Sequence, residues 1–454
     1  MEQDHPRKPG LTEFLRAAKS GFRQTAENAF VHFVLPGRQR KVLEQVRAKS
    51  SGGEAVRVAF LVSETSKWKV QPIYDAMKAD PRFSAFAVVV PLSVVRKSGL
   101  ETVLADLETI RGFLERRGVA AIDGIDRKTG LPIPPEMFNP DVLWYEQPWS
   151  LPPGFGPDEV SKVCLTLYQP YFVPNYETPV DEVCRLAFHR ELFAMFAAGA
   201  TLADEYRKAN SRTASAVEFV PSGHSAFAEI AAASRSREAE NLVIYAPHWS
   251  FRHPGNPNKE NYSTFLETGR TVLEYAEAHP EIKWAYKPHP RLEWSLVSSG
   301  AMDAAAVRDY RNAWRRVGEI CDDGNYHGLF ARAKAIVTDC GSFLTEFAAT
   351  GKPVIHLVPT PESVKPAKYM EPLFDSFYRV RNEEELKAAF SSVLERGEDP
   401  KRDERLSCMA SLGFSESDAA GNVMKWMEKA FLAEAFQDAG PDGRDSRQSA
   451  CRKS

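Results

Sequence analysis

The sequence predicts an α/β protein built as two doubly wound lobes that face each other across a cleft, preceded by a helical extension. Three observations carry that prediction. From Val56 onward, short apolar runs alternate with amphipathic helical stretches, a texture that implies parallel strands joined by right-handed crossovers. The alternation stops and then restarts near Leu242. At 454 residues, the chain also exceeds what one hydrophobic core organises. Two successive sheets of this kind read as Rossmann-like lobes, whose ligands bind beyond the carboxyl ends of the strands.

Residues 1–50 form the extension. Leu11, Phe14, Leu15, Ala18, Phe22 and Ala26 recur at helical spacing, among Arg16, Lys19, Arg23, Arg38, Arg40, Lys41, Arg47 and Lys49. Such a segment either packs on the body of the protein with a solvated basic face or lies on anionic lipid. Residues 50–53, two serines and two glycines, read as a linker. The first lobe spans 51–220, with strands expected at 56–62, 86–90, 141–145 and 163–167. Helices are expected at 72–79, across Leu100, Val103, Leu107, Ile110 and Leu114, and at 179–207. A hinge falls at 221–240. The second lobe spans 221–415, with strands at 242–246, 283–286, 335–338 and 354–358 and helices at 262–278, 302–320 and 342–350. A late helix at 419–436, within a segment 416–437, packs back on the first lobe. Residues 438–454 have the polar composition of a disordered tail.

Composition narrows the class of function. The chain is 43 % hydrophobic and 26 % charged, an ordinary globular makeup. A net charge of −3 argues against nucleic acid as a partner. The cysteines are scattered with no C-x-x-C pair, which fits a reducing compartment and neither a zinc site nor a disulfide framework. Residues 1–30 lack the apolar core of a secretory signal. No apolar run reaches the roughly 20 residues that cross a bilayer. The expectation is a cytoplasmic protein, peripheral at the inner face of the membrane if residues 1–50 bind lipid.

Candidate chemistry gathers at strand ends. In Thr338-Asp339-Cys340-Gly341-Ser342, a strand runs through small polar residues straight into a helix, with Glu346 one turn further in. Exposed N–H groups at a helix start attract phosphate, and a glycine admits a ligand close to the backbone. The same residues also suit plain helix capping by Asp339 or Ser342. In Lys287-Pro288-His289-Pro290-Arg291, two prolines stiffen a loop that holds a histidine between two cations. That imidazole suits proton transfer or phosphate stabilisation. His248 follows the strand Leu242–Ala246 and Pro247, while His253 in the same loop reads as incidental. In the first lobe, Glu64 follows a strand and reads equally as a general base or as a cap of the next helix, and Glu146, also past a strand, is the other candidate base. Trp144, Tyr145, Trp149, Tyr168 and Tyr171 form aromatic strand ends of a kind that packs loops or binds sugars and polyols. No carboxylate cluster marks a metal site; the chemistry leaves room only for Mg2+ carried on a diphosphate.

Taken together, these segments resemble the CDP-glycerol glycerophosphotransferase family of teichoic-acid and capsule assembly. The resemblance rests on Ala246-Pro247-His248-Trp249, Lys287-Pro288-His289-Pro290, Thr338-Asp339-Cys340-Gly341-Ser342, Gly351-Lys352-Pro353 and Gly223-His224, in order along about 140 residues. It implies a GT-B fold, a CDP-glycerol or CDP-ribitol donor held mainly by the second lobe, and transfer of polyol phosphate to a polysaccharide or lipid-linked acceptor with release of CMP. It implies that His289 is essential and that Thr338, Asp339 and Ser342 hold the diphosphate or polyol, with Lys287, Arg291, His248, Gly341 and Glu346 around them. Two departures stand out: Gly341 replaces the first serine of a serine pair, and a tryptophan-histidine-glycine segment of the first lobe is absent. Alternatives are a GT-B glycosyltransferase or sugar-nucleotide epimerase and, outside enzymes, an inactive nucleotide-binding scaffold of a polysaccharide export complex.

Overall fold

The structure, a computed structural model, describes residues 28–432 apart from 212–216, 256–260, 323–325, 360–363 and 416–417, with the backbone alone at 178–181. Two all-parallel sheets organise the chain. The first has seven strands, β1 (Val56–Val62), β2 (Phe83–Val89), β3 (Ala121–Asp123), β4 (Val142–Tyr145), β5 (Leu165–Tyr168), β6 (Ala194–Ala197) and β7 (Glu218–Pro221), in the order β3-β2-β1-β4-β5-β6-β7. The second has six, β8 (Leu242–Ala246), β9 (Lys283–Tyr286), β10 (Gly318–Ile320), β11 (Ala335–Thr338), β12 (Val354–Leu357) and β13 (Tyr378–Val380), in the order β10-β9-β8-β11-β12-β13. The central strands β1, β4, β8 and β11 are almost wholly buried, as parallel strands covered by helices on both faces must be. Register fixes what meets across them: Phe60 of β1 lies beside Trp144 of β4, whose indole stacks on Phe60 at 5.4 Å and on Phe196 of β6 at 5.1 Å.

In each sheet the winding reverses beside its first strand, between β1 and β4 and between β8 and β11. Loops diverge at such a point and leave a crevice beyond the carboxyl ends. Two crevices result, one per lobe.

Several elements depart from the sequence expectation. The helix expected at 179–207 is broken into Glu177–Cys184, Ala187–Arg190 and Ala200–Ala209, with β6 between them. The Ala-Met-Phe-Ala of β6 has helix-forming composition, and only its pairing with β5 and β7 makes it a strand. The short edge strands β3, β10 and β13, and also β7, were not expected. At 50–53, the helix Leu35–Ser51 continues through both serines, and Gly53 at φ +85° makes the turn into β1. At 221–240 lies the helix Ser225–Arg235, with Ser225, Ala226, Phe227 and Ile230 buried.

From residue 28 onward, the extension packs on the first lobe. Val31, Leu35, Gln39, Val42 and Val46 are buried. Gln39 donates to the Leu192 carbonyl at 3.0 Å, and Lys49 pairs with Asp141 at 2.7 Å. Leu11, Phe14, Leu15, Ala18, Phe22 and Ala26, like 438–454, lie outside the described residues. Among the described residues, no helix is long and apolar enough to cross a membrane. At the other end, the helix Ala419–Phe431 is capped by Asp418, which accepts from Gly421 N at 3.1 Å. It crosses back to the first lobe: Trp426 meets Phe196 edge-on at 5.1 Å, Arg47 donates to the Ala430 carbonyl at 2.8 Å, and Arg82 pairs with Glu428.

Candidate active site

The two crevices open onto one cleft of about 730 Å³, lined from both lobes. On the second-lobe side, Pro247 and Trp249 follow β8, Lys287 to Arg291 follow β9, and Cys340, Ser342 and Phe343 follow β11. The helix Gly341–Ala348 begins here with Cys340 at its N-cap, whose side chain makes no capping hydrogen bond, while Thr338 Oγ1 accepts from Cys340 N at 3.0 Å. Neither Asp339 nor Ser342 caps it, so the partial positive charge of its first turn faces the cleft.

His289 is fixed from both sides. Its N–H bonds to the Pro247 carbonyl at 3.0 Å, and its Nδ1 accepts from the Arg291 backbone N–H at 3.1 Å. With Nδ1 an acceptor, the neutral ring carries its proton on Nε2. Burial, with Arg291 and Lys287 nearby, pushes its pKa down to about 4, so the imidazole is uncharged at neutral pH until an anion arrives. His248 packs behind it, ring to ring at 5.2 Å, with Nδ1 accepting from Ser250 N at 3.2 Å. Burial, His289 and Arg291 hold His248 well below the usual histidine range. It does not line the cleft and serves to back His289. The Arg291 guanidinium lies over the Trp249 ring at 3.8 Å.

Asp339 and Thr338 were expected to touch ligand, and the structure gives both another task. Asp339 is buried and accepts from His248 N at 2.5 Å, Thr264 N at 2.7 Å, Ser263 Oγ at 3.1 Å and Thr264 Oγ1 at 3.2 Å. It ties the β8 loop to the start of the helix Phe265–Ala278, and burial raises its pKa to about 6. Thr338 donates to the Ala246 carbonyl at 2.6 Å, clamping β11 to β8. Gly341 also serves a purpose other than ligand approach. A Cβ there would sit 2.9 Å from the Tyr176 ring and 3.1 Å from Asn175 Oδ1. The missing side chain lets the first lobe close against this turn, and Asn175 Nδ2 donates to the Gly341 carbonyl at 2.5 Å and to Thr345 Oγ1 at 3.2 Å.

On the first-lobe side, residues 63–67, Ser93, Arg96, Asp106, Trp149, Ser150 and Tyr171 line the cleft. Glu64 reaches it, paired with Lys67 and at 4.0 Å with Arg96. Glu146 does not line this cleft: it is 4 % exposed, and its Oε1 accepts from Lys69 N at 2.9 Å. Burial raises its pKa to about 8, against the pull of Lys69 and Lys67.

On the floor of the cleft, sequence reasoning found Glu346 and Lys287 and missed Lys69 and Tyr326. Lys69 of the first lobe bonds to the Tyr326 hydroxyl of the second, which in turn donates to Glu346 Oε2 at 2.5 Å. Lys69 is buried, and desolvation lowers its pKa while Glu346 and Glu146 oppose the shift. Lys287 also approaches the Tyr326 ring, 5.3 Å from its centroid. The signal for Lys69 was present, since it follows β1 at the switch point. Tyr326 has no local pattern to mark it. Among the described residues, no group of three or more His, Cys, Asp or Glu side chains is arranged to hold a metal ion.

Solved structures share this architecture. The UDP-GlcNAc 2-epimerase of Neisseria meningitidis, bound to UDP-GlcNAc, superposes with a TM-score of 0.54 at 10 % identity, covering 83 % of this chain and 100 % of that one. The wall teichoic acid polymerase TagF superposes with a TM-score of 0.52 at 11 % identity, covering 91 % of this chain and 98 % of that one. A putative UDP-N-acetylglucosamine 2-epimerase from Listeria monocytogenes gives 0.53 at 14 % identity, covering 84 % and 99 %. The fold is of the GT-B type. No protein-family model and no curated protein sequence matches the chain. Identities this low carry the fold and leave the chemistry to the residues in the cleft.

Proposed function

We propose that the protein transfers a polyol phosphate, glycerol phosphate or ribitol phosphate, from its CDP-activated form to a hydroxyl of a polysaccharide or lipid-linked acceptor. CMP is the other product. The observation that carries this reading is the convergence, in one cleft, of His289 with the uncapped helix start at Gly341–Ala348, an arrangement suited to a diphosphate. The order of motifs that resembles the glycerophosphotransferase family supports it.

In this reading the acceptor oxygen attacks the phosphorus that bears the polyol. The P–O bond to CMP breaks, and its electron pair leaves with the CMP phosphate. The acceptor proton passes to a base, and Glu64 is the sequence-predicted carboxylate that reaches the cleft from the acceptor side. The Nε2–H of His289 donates to a phosphate oxygen, and the charge of the bound diphosphate draws a proton onto the ring. Catalysis then rests on positioning and charge neutralisation. Mg2+ on the diphosphate is compatible with this scheme and no step depends on it.

His289→Ala is expected to cut turnover of CDP-glycerol by about two orders of magnitude, the contribution of a positioned proton donor. Near-normal turnover would sink the reading. A sugar-nucleotide epimerase or glycosyltransferase is the second reading, supported by the fold shared with the UDP-GlcNAc 2-epimerases. A thermal-shift comparison of CDP-glycerol, CDP-ribitol, CMP and UDP-sugars separates the two, because the bound nucleotide stabilises the folded state. Stabilisation by UDP-GlcNAc and not by CDP-glycerol would favour the second.

A further inference from the structure

The first-lobe wall of the cleft differs in chemistry from the wall opposite, and the difference identifies what docks there. Its cations have partners of their own: Lys67 pairs with Glu64 and bonds to Gln147, Arg96 reaches Glu64 at 4.0 Å, and Lys69 bonds to the Tyr326 hydroxyl. Asp106 adds a second carboxylate to the same wall. What remains is aromatic. Trp149, half-buried, meets Tyr171 at 6.2 Å and Phe172 at 5.6 Å, and both Trp149 and Tyr171 line the cleft. Among the described residues, no cation lies over the Trp149 ring, whereas Lys67 lies 5.5 Å from the centroid of Tyr171 and Arg291 covers Trp249 on the opposite wall. The next residue, Ser150, is exposed and adopts φ +52°, a left-handed backbone that a non-glycine residue holds only when its surroundings impose it.

A wall of aromatic faces bordered by self-paired charges and by Ser63, Ser66, Ser93 and Ser150 suits an uncharged polyhydroxylated ring. C–H faces stack on the aromatics, and ring hydroxyls meet the serines and carboxylate edges. A poly(polyol phosphate) chain would instead meet Glu64 and Asp106 with its own negative charge, which is unfavourable.

We infer that Trp149 and Tyr171 form an acceptor subsite for a neutral sugar ring, so that the terminal acceptor unit is a glycan rather than a polyol-phosphate chain. The assignment of this subsite to the acceptor rests on the transferase reading above; binding of sugar to the wall does not. The test is therefore made without donor, by saturation-transfer NMR on the full chain. The probes are neutral di- to tetrasaccharides of glucose, galactose and N-acetylglucosamine, and an oligo(glycerol phosphate).

Ring protons of at least one saccharide receive saturation. Trp149→Ala weakens its affinity roughly fivefold to tenfold, as loss of one aromatic contact does, while Trp149→Phe retains most of it. The thermal shift given by CDP-glycerol is unchanged in both variants, which shows that they fold. Saturation of the glycerol-phosphate oligomer alone, silence from every saccharide, or saccharide binding indifferent to Trp149→Ala would each overturn the inference. Absence of CDP-glycerol binding alongside Trp149-dependent saccharide binding would overturn the donor reading and leave the subsite standing.

Discussion

The two walls of the cleft sit at equivalent points of equivalent sheets, yet they are built from opposite materials. At the β8/β11 switch, the chain presents an uncapped helix start, a neutral histidine between two cations and a guanidinium held on an indole. At the β1/β4 switch it presents a carboxylate with its own cations and a cluster of aromatic rings. Topology places both walls, and side-chain charge distinguishes them: a histidine between two cations lines one, and carboxylates with cations of their own line the other. Second-lobe positions should therefore govern donor affinity, and first-lobe positions the later steps.

The sharpest way to break that division is to remove one cation from each wall. Lys287→Met is expected to weaken CDP-glycerol binding by tenfold or more, with reduced salt dependence. Lys67→Met should leave donor binding within about twofold, because its charge already meets Glu64. Calorimetric titration at two salt concentrations checks both; equal losses would erase the contrast. Gly341→Ala probes where the walls touch. Its Cβ would press on Tyr176 and Asn175, so the expected cost is about 1–3 kcal/mol of stability, read as a lower melting temperature. An unchanged melting temperature would mean that the lobes do not hold this contact in solution.

A further effect, visible only as a pH dependence, concerns Glu146. Its folded pKa is raised to about 8 from an ordinary 4.5, so the folded state holds a proton that the unfolded state releases. Its contribution therefore declines as pH rises from about 4.5 to 8 and is flat above, with a slope of at most about 1.4 kcal/mol per pH unit. Glu146→Gln should flatten that part of the melting-temperature profile. An unaltered slope would show that the carboxyl is ionised in the fold.

Much of the second wall was legible because its logic is local. A strand, a few small residues and a helix start lie within ten or so positions of each other, and Pro288 and Pro290 mark the loop that holds His289. The roles of Asp339 and Gly341 were not legible. Asp339 spends its carboxylate on Ser263 and Thr264, and Gly341 answers to Asn175 and Tyr176. Those partners lie far away in sequence, and nothing in a strand-turn-helix pattern announces them. Glu64 and Glu146 had equal standing as sequence patterns, and only burial separates the one that reaches the cleft from the one that does not. Strand β6 was hidden for a related reason: its composition suits a helix, and its neighbours in the sheet decide otherwise.

The returning helix Ala419–Phe431 has a consequence for how the molecule can be divided. Trp426 and Phe431 complete the apolar packing around Phe193, and Asn422 reaches the Ser222 carbonyl where the chain leaves the first sheet. A fragment ending near Pro221 would carry an open greasy seam, and one beginning there would carry an orphaned helix with nothing to cover. The first lobe's core is finished only by a helix that follows the whole second lobe along the chain.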